Sequence, residues 1–439
     1  MTEARNAESL PYPLKAPSAL EPSKEWAELR TQCPVARITL PSGDEASLLT
    51  RYDDVRTALS DPRFSREGLT RPDAARVSAG EAGSVFDSPM ARTLNAVGHQ
   101  RWRRTVGKWF TAKRMAALRP DMEAMAEQLV DAMAERSRPA DLVSGLAFPL
   151  PVYVICRMLG VPESDRDRFK TWSDTFLNTT RYTTEEMRAA HREFAAYMAA
   201  LIDGKRAEPG DDLLSLLMTG ASGTGGAGGT GGFGGTGGPG GTGGPGGTGG
   251  AGDTGSAAQP MGEDALVATG QALLLAGHET TAGFIALMVA HLLADRQRWE
   301  RLLADPSLVR TAVEESLRYD PNGANFGMLR YTHEDTELSS GTVPAGTTVV
   351  CGMASANRDE SVWSDAHGMD LGRSPNRHLT FGAGPHSCLG QPLARTEMQA
   401  ALDVLLRRLP TLRLAVDPGE LRAHEGLLTA PLRALPVTW

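Results

Sequence analysis

The chain has 439 residues, 41% of them hydrophobic and 22% charged, with a formal net charge of -8. That length and apolar content allow a large buried core, and the mildly acidic balance gives no support for nucleic-acid binding. The four cysteines, Cys33, Cys156, Cys351 and Cys388, lie far apart and form no CxxC, which argues against a disulfide framework or a cysteine zinc site.

In chain order, residues 1–26 are polar and proline-rich, without the apolar centre of a signal peptide or anchor. The most apolar short stretch, 265–275, is interrupted by Thr269, Gly270 and Gln271, so no run reads as long enough to cross a bilayer. The expectation is a soluble cytoplasmic protein with no membrane partner. A strand-like run covers 46–50. In His99-Gln-Arg-Trp-Arg103, His99 and Arg103 stand at i, i+4 and share a helix face. Arg101, Arg104 and Lys108 fall roughly opposite, making either a solvated face or a docking patch for an acidic protein. Apolar periodicity predicts amphipathic helices at 120–135 and 185–207.

Residues 223–252 are five tandem copies of Gly-Thr-Gly-Gly-x-Gly. Such a run has no apolar face to bury, and glycine loses the most conformational freedom on ordering. Residues 220–256 are therefore expected to form a flexible insert, the thirty residues 223–252 spanning roughly 30 Å as a random coil, with a repeat ordered by stacking on itself or on a partner as the alternative. The GxGxxG matches inside it are spurious, because no strand precedes them and no helix opens on them.

A long helix is predicted over 263–295, about 50 Å at 1.5 Å per residue. Leu273, Ala276, Gly277, Thr280, Phe284 and Leu287 share one face of it, apolar except at Thr280. The small Ala276 and Gly277, one turn before Thr280, would leave room for a bulky group. A core helix with a back-bonded threonine reads equally from the same residues. A zinc-protease motif is excluded, because Ala282 stands where HExxH needs a second histidine. Glu315 and Arg318 stand at i, i+3 and can pair, as solvated surface residues commonly do. Arg330 starts a strand-like run. Strands at 336–338 and 347–351 flank Gly341, Pro344 and Gly346, which predicts a hairpin between them. The lone Cys388 ends a glycine-rich loop, Phe381-Gly-Ala-Gly-Pro-His-Ser-Cys388-Leu-Gly390, before helical periodicity at 391–408. A cysteine at a helix start has its thiolate favoured by the dipole and backbone N–H donors, which suits an iron ligand; a buried structural cysteine is the alternative. The whole reads as mainly α with a small β portion.

The pattern F-x-x-G-x-H-x-C-x-G around Cys388 resembles the haem-binding loop of the cytochrome P450 family. Ala276-Gly277-His278-Glu279-Thr280 resembles the family's oxygen-activation motif, and Glu315-x-x-Arg318 its E-x-x-R. The resemblance covers about 51–429, with the glycine-rich insert as the clear departure. It implies one P450-fold domain over 1–439, with a long central helix over haem b (iron protoporphyrin IX) and the cysteine loop on the proximal side. By resemblance Cys388 is the axial iron ligand, and Ala276 and Gly277 border the oxygen pocket. Thr280 and Glu279 support protonation of bound O2. His99, Arg103, Arg330 and His386 meet the haem propionates, and Phe381, Gly384 and Gly390 lie against the porphyrin. Glu315, Arg318 and Arg373 brace the cysteine loop. Met369 stands where the family usually has phenylalanine.

The function implied is a monooxygenase acting on a small organic or peptide-like substrate. Without a credible flavin, nicotinamide or iron–sulfur site of its own, it would take electrons from a ferredoxin and an NAD(P)H-dependent ferredoxin reductase. Oxidative C–C, C–N or C–O coupling without oxygen insertion is the alternative outcome. A haem sensor without turnover is disfavoured by the intact Glu279 and Thr280. Family topology would draw the substrate pocket from 70–97, 169–197, 273–276, 322–328 and 426–429. Phe86, Met90 and Phe176 are candidate apolar walls, and Asn322 and Asn325 are candidate polar contacts or turn residues.

Overall fold

A computed structural model describes residues 9–77, 89–136, 138–177, 182–219, 261–320, 327–424 and 430–439. The glycine-rich insert, Phe86, Asn322, Asn325 and 426–429 lie outside the described residues, as does the side chain of Phe176. The helices in chain order are α1 (Glu25–Gln32), α2 (Tyr52–Ser60), α3 (Pro89–Val97), α4 (His99–Gly107), α5 (Ala112–Ala134), α6 (Pro149–Leu159), α7 (Arg166–Leu177), α8 (Thr184–Ala207), α9 (Leu213–Thr219), α10 (Glu263–Ala294), α11 (Arg296–Ala304), α12 (Val309–Tyr319), α13 (Met353–Ala356) and α14 (Gln391–Arg408). The strands are β1 (Leu10–Pro11), β2 (Val35–Thr39), β3 (Glu45–Leu49), β4 (Phe64–Ser65), β5 (Ala140–Asp141), β6 (Met328–Thr332), β7 (Thr336–Leu338), β8 (Gly341–Val343), β9 (Thr347–Cys351), β10 (Arg413–Leu414) and β11 (Pro436–Thr438). Of the described residues 56% are helical, so the mainly-α expectation holds.

Local chemistry sets several boundaries. Thr183 caps α8 with a reciprocal box, its Oγ1 accepting from Glu186 N while Glu186 Oε2 accepts from Thr183 N. The helix predicted to start at Pro120 instead starts at Ala112, where Thr111 Oγ1 accepts from Arg114 N. Pro120 sits inside that helix and does not end it.

The predicted hairpin is corrected. Thr336–Leu338 pairs with Gly341–Val343, not with Thr347–Cys351. In the turn between them Ser339 is held by Asp54, donating to its Oδ1 from both N and Oγ, at 2.9 and 2.7 Å. Thr347–Cys351 is buried along nearly its whole length, as an interior strand must be. It lies between β3 (parallel) and β6 (antiparallel) in a six-stranded sheet of order β1-β2-β3-β9-β6-β4.

Helix α10 runs through the main core and packs against α3, α6, α8, α12 and α14, while α14 also packs on α5. The reading that no run could cross a bilayer is also corrected: α10 is long and apolar enough by length and composition. More than half of its most apolar stretch is buried inside the protein, as expected of a helix apolar on all sides. Burial also reaches its two histidines. His278 Nδ1 donates to the Leu274 carbonyl, and the ring packs edge-on against Phe148. His291 packs edge-on against Tyr319, and its Nε2 is buried without a hydrogen-bond partner. Burial lowers His278 to about 4. Burial, then the charges of Arg358 and Arg298, lowers His291 to about 3.

Groups held neutral in the fold but protonated in the unfolded chain give stability that is full above the unfolded histidine value, about 6.5, and lost below it. Thermal midpoints should therefore fall as pH drops from about 6.5 towards 4. His291→Leu should flatten that slope in a pH series of melting curves; an unchanged slope would remove His291 from the account.

Candidate functional site

The loop before α14 folds back on itself. Cys388 N donates to the Phe381 carbonyl and Gly382 N to the Leu379 carbonyl, both at 2.7 Å. Gly384 meets two demands at once. Its φ is +69°, and an added Cβ would stand 2.6 Å from Ser60 Cα at the end of α2. Gly390 meets neither: its φ is -81°, and an added Cβ would make only an ordinary 3.9 Å contact with Cys388 Sγ.

Cys388 is exposed, while Cys156 and Cys351 are buried and Cys33 is partly so. Desolvation by the surrounding loop raises its thiol. Backbone hydrogen bonds from Gly390 and Gln391 and the charges of Arg103 and Arg395 act the other way and favour the thiolate. Arg395 was not singled out from the sequence. Its guanidinium lies 4.5 Å over the Phe381 ring and is held by Glu314 at 2.6 and 3.0 Å. Phe381 itself is buried.

The Glu315–Arg318 pair is fully buried, not a surface contact. Arg318 donates to Glu315 at 2.8 Å through both Nε and Nη2, and to the carbonyls of Asn357, Ala366 and Gly368. Arg373 Nε reaches Glu315 at 3.1 Å, and Asp370 N and Asn376 Nδ2 complete the carboxylate's partners. The three residues named from the sequence thus meet on one carboxylate, and they tie α12 to the segment leading into the cysteine loop.

On α4, His99 and Arg103 point one way and are half-buried, while Arg101, Arg104 and Lys108 are exposed. The His99 and His386 rings are 4.0 Å apart, and Arg103 Nη2 donates to Ser387 Oγ at 3.2 Å. Arg330, buried on β6, donates to the Leu329 carbonyl. A third arginine, Arg66, joins them and no motif marked it. Burial, then Arg330, lowers Arg66 to about 10. Burial, then Arg66, His99, Arg330 and Arg103, lowers His386 to about 3. Burial, then Arg66 and Arg103, lowers His99 against the opposing charge of Glu67. His386 Nδ1 is buried without a hydrogen-bond partner.

Within the otherwise core helix α10, Ala276 and Thr280 are exposed one turn apart, and Thr280 Oγ1 donates to the Ala276 carbonyl at 3.1 Å. The predicted back-bond is present on an open edge. Gly277 does not share that edge: an added Cβ there would meet Ile155 of α6 at 3.2 Å. Its missing side chain lets α10 approach α6; it does not widen the Thr280 side. Glu279 is half-buried beside Thr280. Met90 is half-buried on α3, which packs on α10. Phe169 and Trp172 of α7 are committed to an aromatic core with Phe194 and Tyr197.

An exposed thiol with N–H donors, an orphaned imidazole nitrogen and desolvated cations fit a planar dianion carrying a thiolate-ligated iron. Residues 252–433 match the sequence profile described as Cytochrome P450. The mycinamicin IV hydroxylase/epoxidase of Micromonospora griseorubida is 38% identical, covering 99% of this chain and 100% of the relative. The nocardicin C N-oxygenase of Nocardia uniformis is 39% identical, covering 98% of each. The chain belongs to the cytochrome P450 family. A solved structure of the mixed-function P450 MycG with mycinamicin V superposes with TM-score 0.81 at 39% identity, over 98% of this chain and all of that one. This P450 is a monooxygenase whose cofactor is haem b.

Gly384→Ala should lower the thermal midpoint by the equivalent of about 1–2 kcal/mol or more, from the left-handed backbone and the clash at Ser60. Gly204→Ala in α8, where an added Cβ meets nothing within 4 Å, should instead stabilise by up to about 1 kcal/mol. Parallel melting curves of the two variants decide it; equal shifts would deny the tight seat of the loop on α2.

Proposed function

We propose that this P450 oxidises a small organic or peptide-like molecule of bacterial secondary metabolism, with Cys388 as the iron ligand and a separate ferredoxin as electron donor. The observation that carries the reading is the convergence of the exposed Cys388 thiol with the basic cluster of His99, Arg103, Arg330 and His386. Haem held there would supply O2 activation and delivery of one oxygen atom to the substrate. The relatives' names support the substrate class and show that the outcome varies, since they include hydroxylation, epoxidation and N-oxygenation.

The chain's own residues supply position and protons. Arg103 and Arg330 would neutralise the two propionates, and His99 and His386 would donate hydrogen bonds to them. Phe381, Gly384 and Gly390 shape the loop that would lie against the porphyrin, and Ala276 keeps the open edge of the facing helix low, while Gly277 lets that helix approach α6. Glu279 holds a proton from solvent at its carboxyl group, and Thr280 Oγ1 directs it from the open edge of α10. Arg101, Arg104 and Lys108 form the exposed basic face on which an acidic ferredoxin docks, served by an NAD(P)H-dependent reductase, and such a donor places the enzyme in the cytoplasm. The whole chain serves as one P450 domain, with 220–256 as a surface insert.

The carbon monoxide difference spectrum of the reduced protein tests the ligand. The wild type should show the red-shifted Soret band from which the family takes its name, and Cys388→Ser should abolish it. Thr280→Ala should keep that band but slow product formation about 100-fold. A Cys388→Ser protein that retains the band would overturn the assignment. Product mass then separates oxygen insertion, which adds one oxygen atom, from coupling, which removes two hydrogens. Deletion of residues 223–252 should leave haem content unchanged by absorbance ratio; loss of haem would sink the surface-insert reading.

A further inference from the structure

Two neighbouring carboxylates leave α12 in different directions. Glu315 turns inward to Arg318 and Arg373, while Glu314, about 100° round the helix from it, reaches α14 and the segment before the cysteine loop. Arg395 meets Glu314 fork to fork, Nε donating to Oε1 at 2.6 Å and Nη2 to Oε2 at 3.0 Å. Its Nη1 donates to Gln391 Oε1 at 2.9 Å, one turn back on α14. Every nitrogen of the guanidinium is thus engaged, and its orientation is set. His378 is the carboxylate's other partner. Its Nδ1 accepts from Thr380 N at 3.3 Å, which places the ring proton on Nε2, and Nε2 donates to Glu314 Oε2 at 3.2 Å. Burial raises Glu314, but the bonds from His378 and Arg395 outweigh it and hold the carboxyl down at about 2.

Both donors held by Glu314 border Phe381. The Arg395 guanidinium lies 4.5 Å from the centre of that ring and the His378 ring 5.6 Å, and the Phe381 carbonyl accepts from Cys388 N at 2.7 Å. A run of contacts therefore leads from α12 through one cation and one aromatic ring to Cys388. Neutral bonds already attach the loop without it. Thr380 Oγ1 donates to the Leu317 carbonyl of α12 at 2.7 Å, and Asn357 accepts from Leu379 N at 2.7 Å and donates to Thr380 Oγ1 at 3.0 Å. The ion pair adds what those bonds lack, a permanent charge at a set place beside the loop. Arg395 is one of the cations that favour the Cys388 thiolate.

We propose that Arg395 is a positioning residue of the proximal side: Glu314, steadied by His378, fixes its guanidinium on the Phe381 ring, and that charge raises the reduction potential of the cofactor bound at Cys388. The proposal rests on the haem-thiolate reading above. Reduction adds an electron to the iron–thiolate unit. A nearby cation stabilises the added charge and a nearby anion opposes it, so Arg395 and Glu314 act with opposite sign.

The test uses the intact holoenzyme and three variants, Arg395→Gln, Arg395→Lys and Glu314→Gln. Haem content and the ferric/ferrous midpoint by spectroelectrochemistry are read for each. Arg395→Gln removes the cation and should lower the midpoint. Arg395→Lys keeps the charge and should hold the wild-type value. Glu314→Gln removes the anion while its amide oxygen still accepts from Arg395, and should raise the midpoint. No shift, or a shift of the opposite sign, in either Gln variant would overturn the proposal, because a packing role has no sign that follows charge. A Lys variant that falls as far as Arg395→Gln would overturn it too. Should one variant fail to take up haem, the other two decide by the same signs; failure of both Gln variants overturns the proposal. A wild-type protein lacking the family's carbon monoxide band would instead fail the haem-thiolate reading itself, so the two failures are separable.

Discussion

The carboxylate of Glu315 is the point on which the proximal side is assembled. It is fully buried, and an ionised carboxylate in that setting survives only if its partners replace water completely. They do: Arg318, Arg373, Asn376 Nδ2 and Asp370 N all converge on it. Arg318 in turn takes three carbonyls from the stretch 357–368. The segment from β9 to the cysteine loop has little regular structure of its own. Its course is set largely by these charge-assisted bonds, and so is the position of Cys388. Removing the carboxylate would leave the buried Arg318 without its counter-ion, a cost of about 3–5 kcal/mol.

Helix α10 faces the opposite demand. It is apolar on all sides because α3, α6, α8, α12 and α14 cover it, yet Ala276 and Thr280 remain open. Small residues serve two purposes along this stretch. Ala276 keeps the open edge low, while Gly277 lets the helix press against Ile155 on its closed side. One pair of adjacent small residues thus sets both the packing distance to α6 and the height of the edge beside Thr280.

The basic cluster is a local conflict that the fold tolerates for function. Arg66, Arg103, Arg330, His99 and His386 come from four separate parts of the chain, and the charges of neighbouring arginines lower the proton affinity of His99 and His386. Sites where packing alone gives a poor account of the residues present are where ligand chemistry is expected. The orphaned Nδ1 of His386 points the same way.

Much of this was legible in the sequence because it is local. The spacing of Phe381, Gly384, His386 and Cys388, the i, i+3 and i, i+4 pairs, and the helices at 185–207 and 263–295 depend on neighbours within a few turns. The partner of 347–351 was not legible, because a strand buried on both faces carries no mark of which edges it joins; its neighbours β3 and β6 are set by long-range pairing. The direction of Gly277 also came from outside its own helix, through Ile155. Arg66 is the clearest case. Its sequence neighbours, Phe64 and Ser65, say nothing of charge, and only their pairing with β6 brings the turn that follows close enough for Arg330 to act on it. The sequence by itself determined the chemistry available, because residue identity sets ligand, acid and cation. The tertiary structure decided which cations meet, because long-range register and burial fix distances that no local spacing encodes.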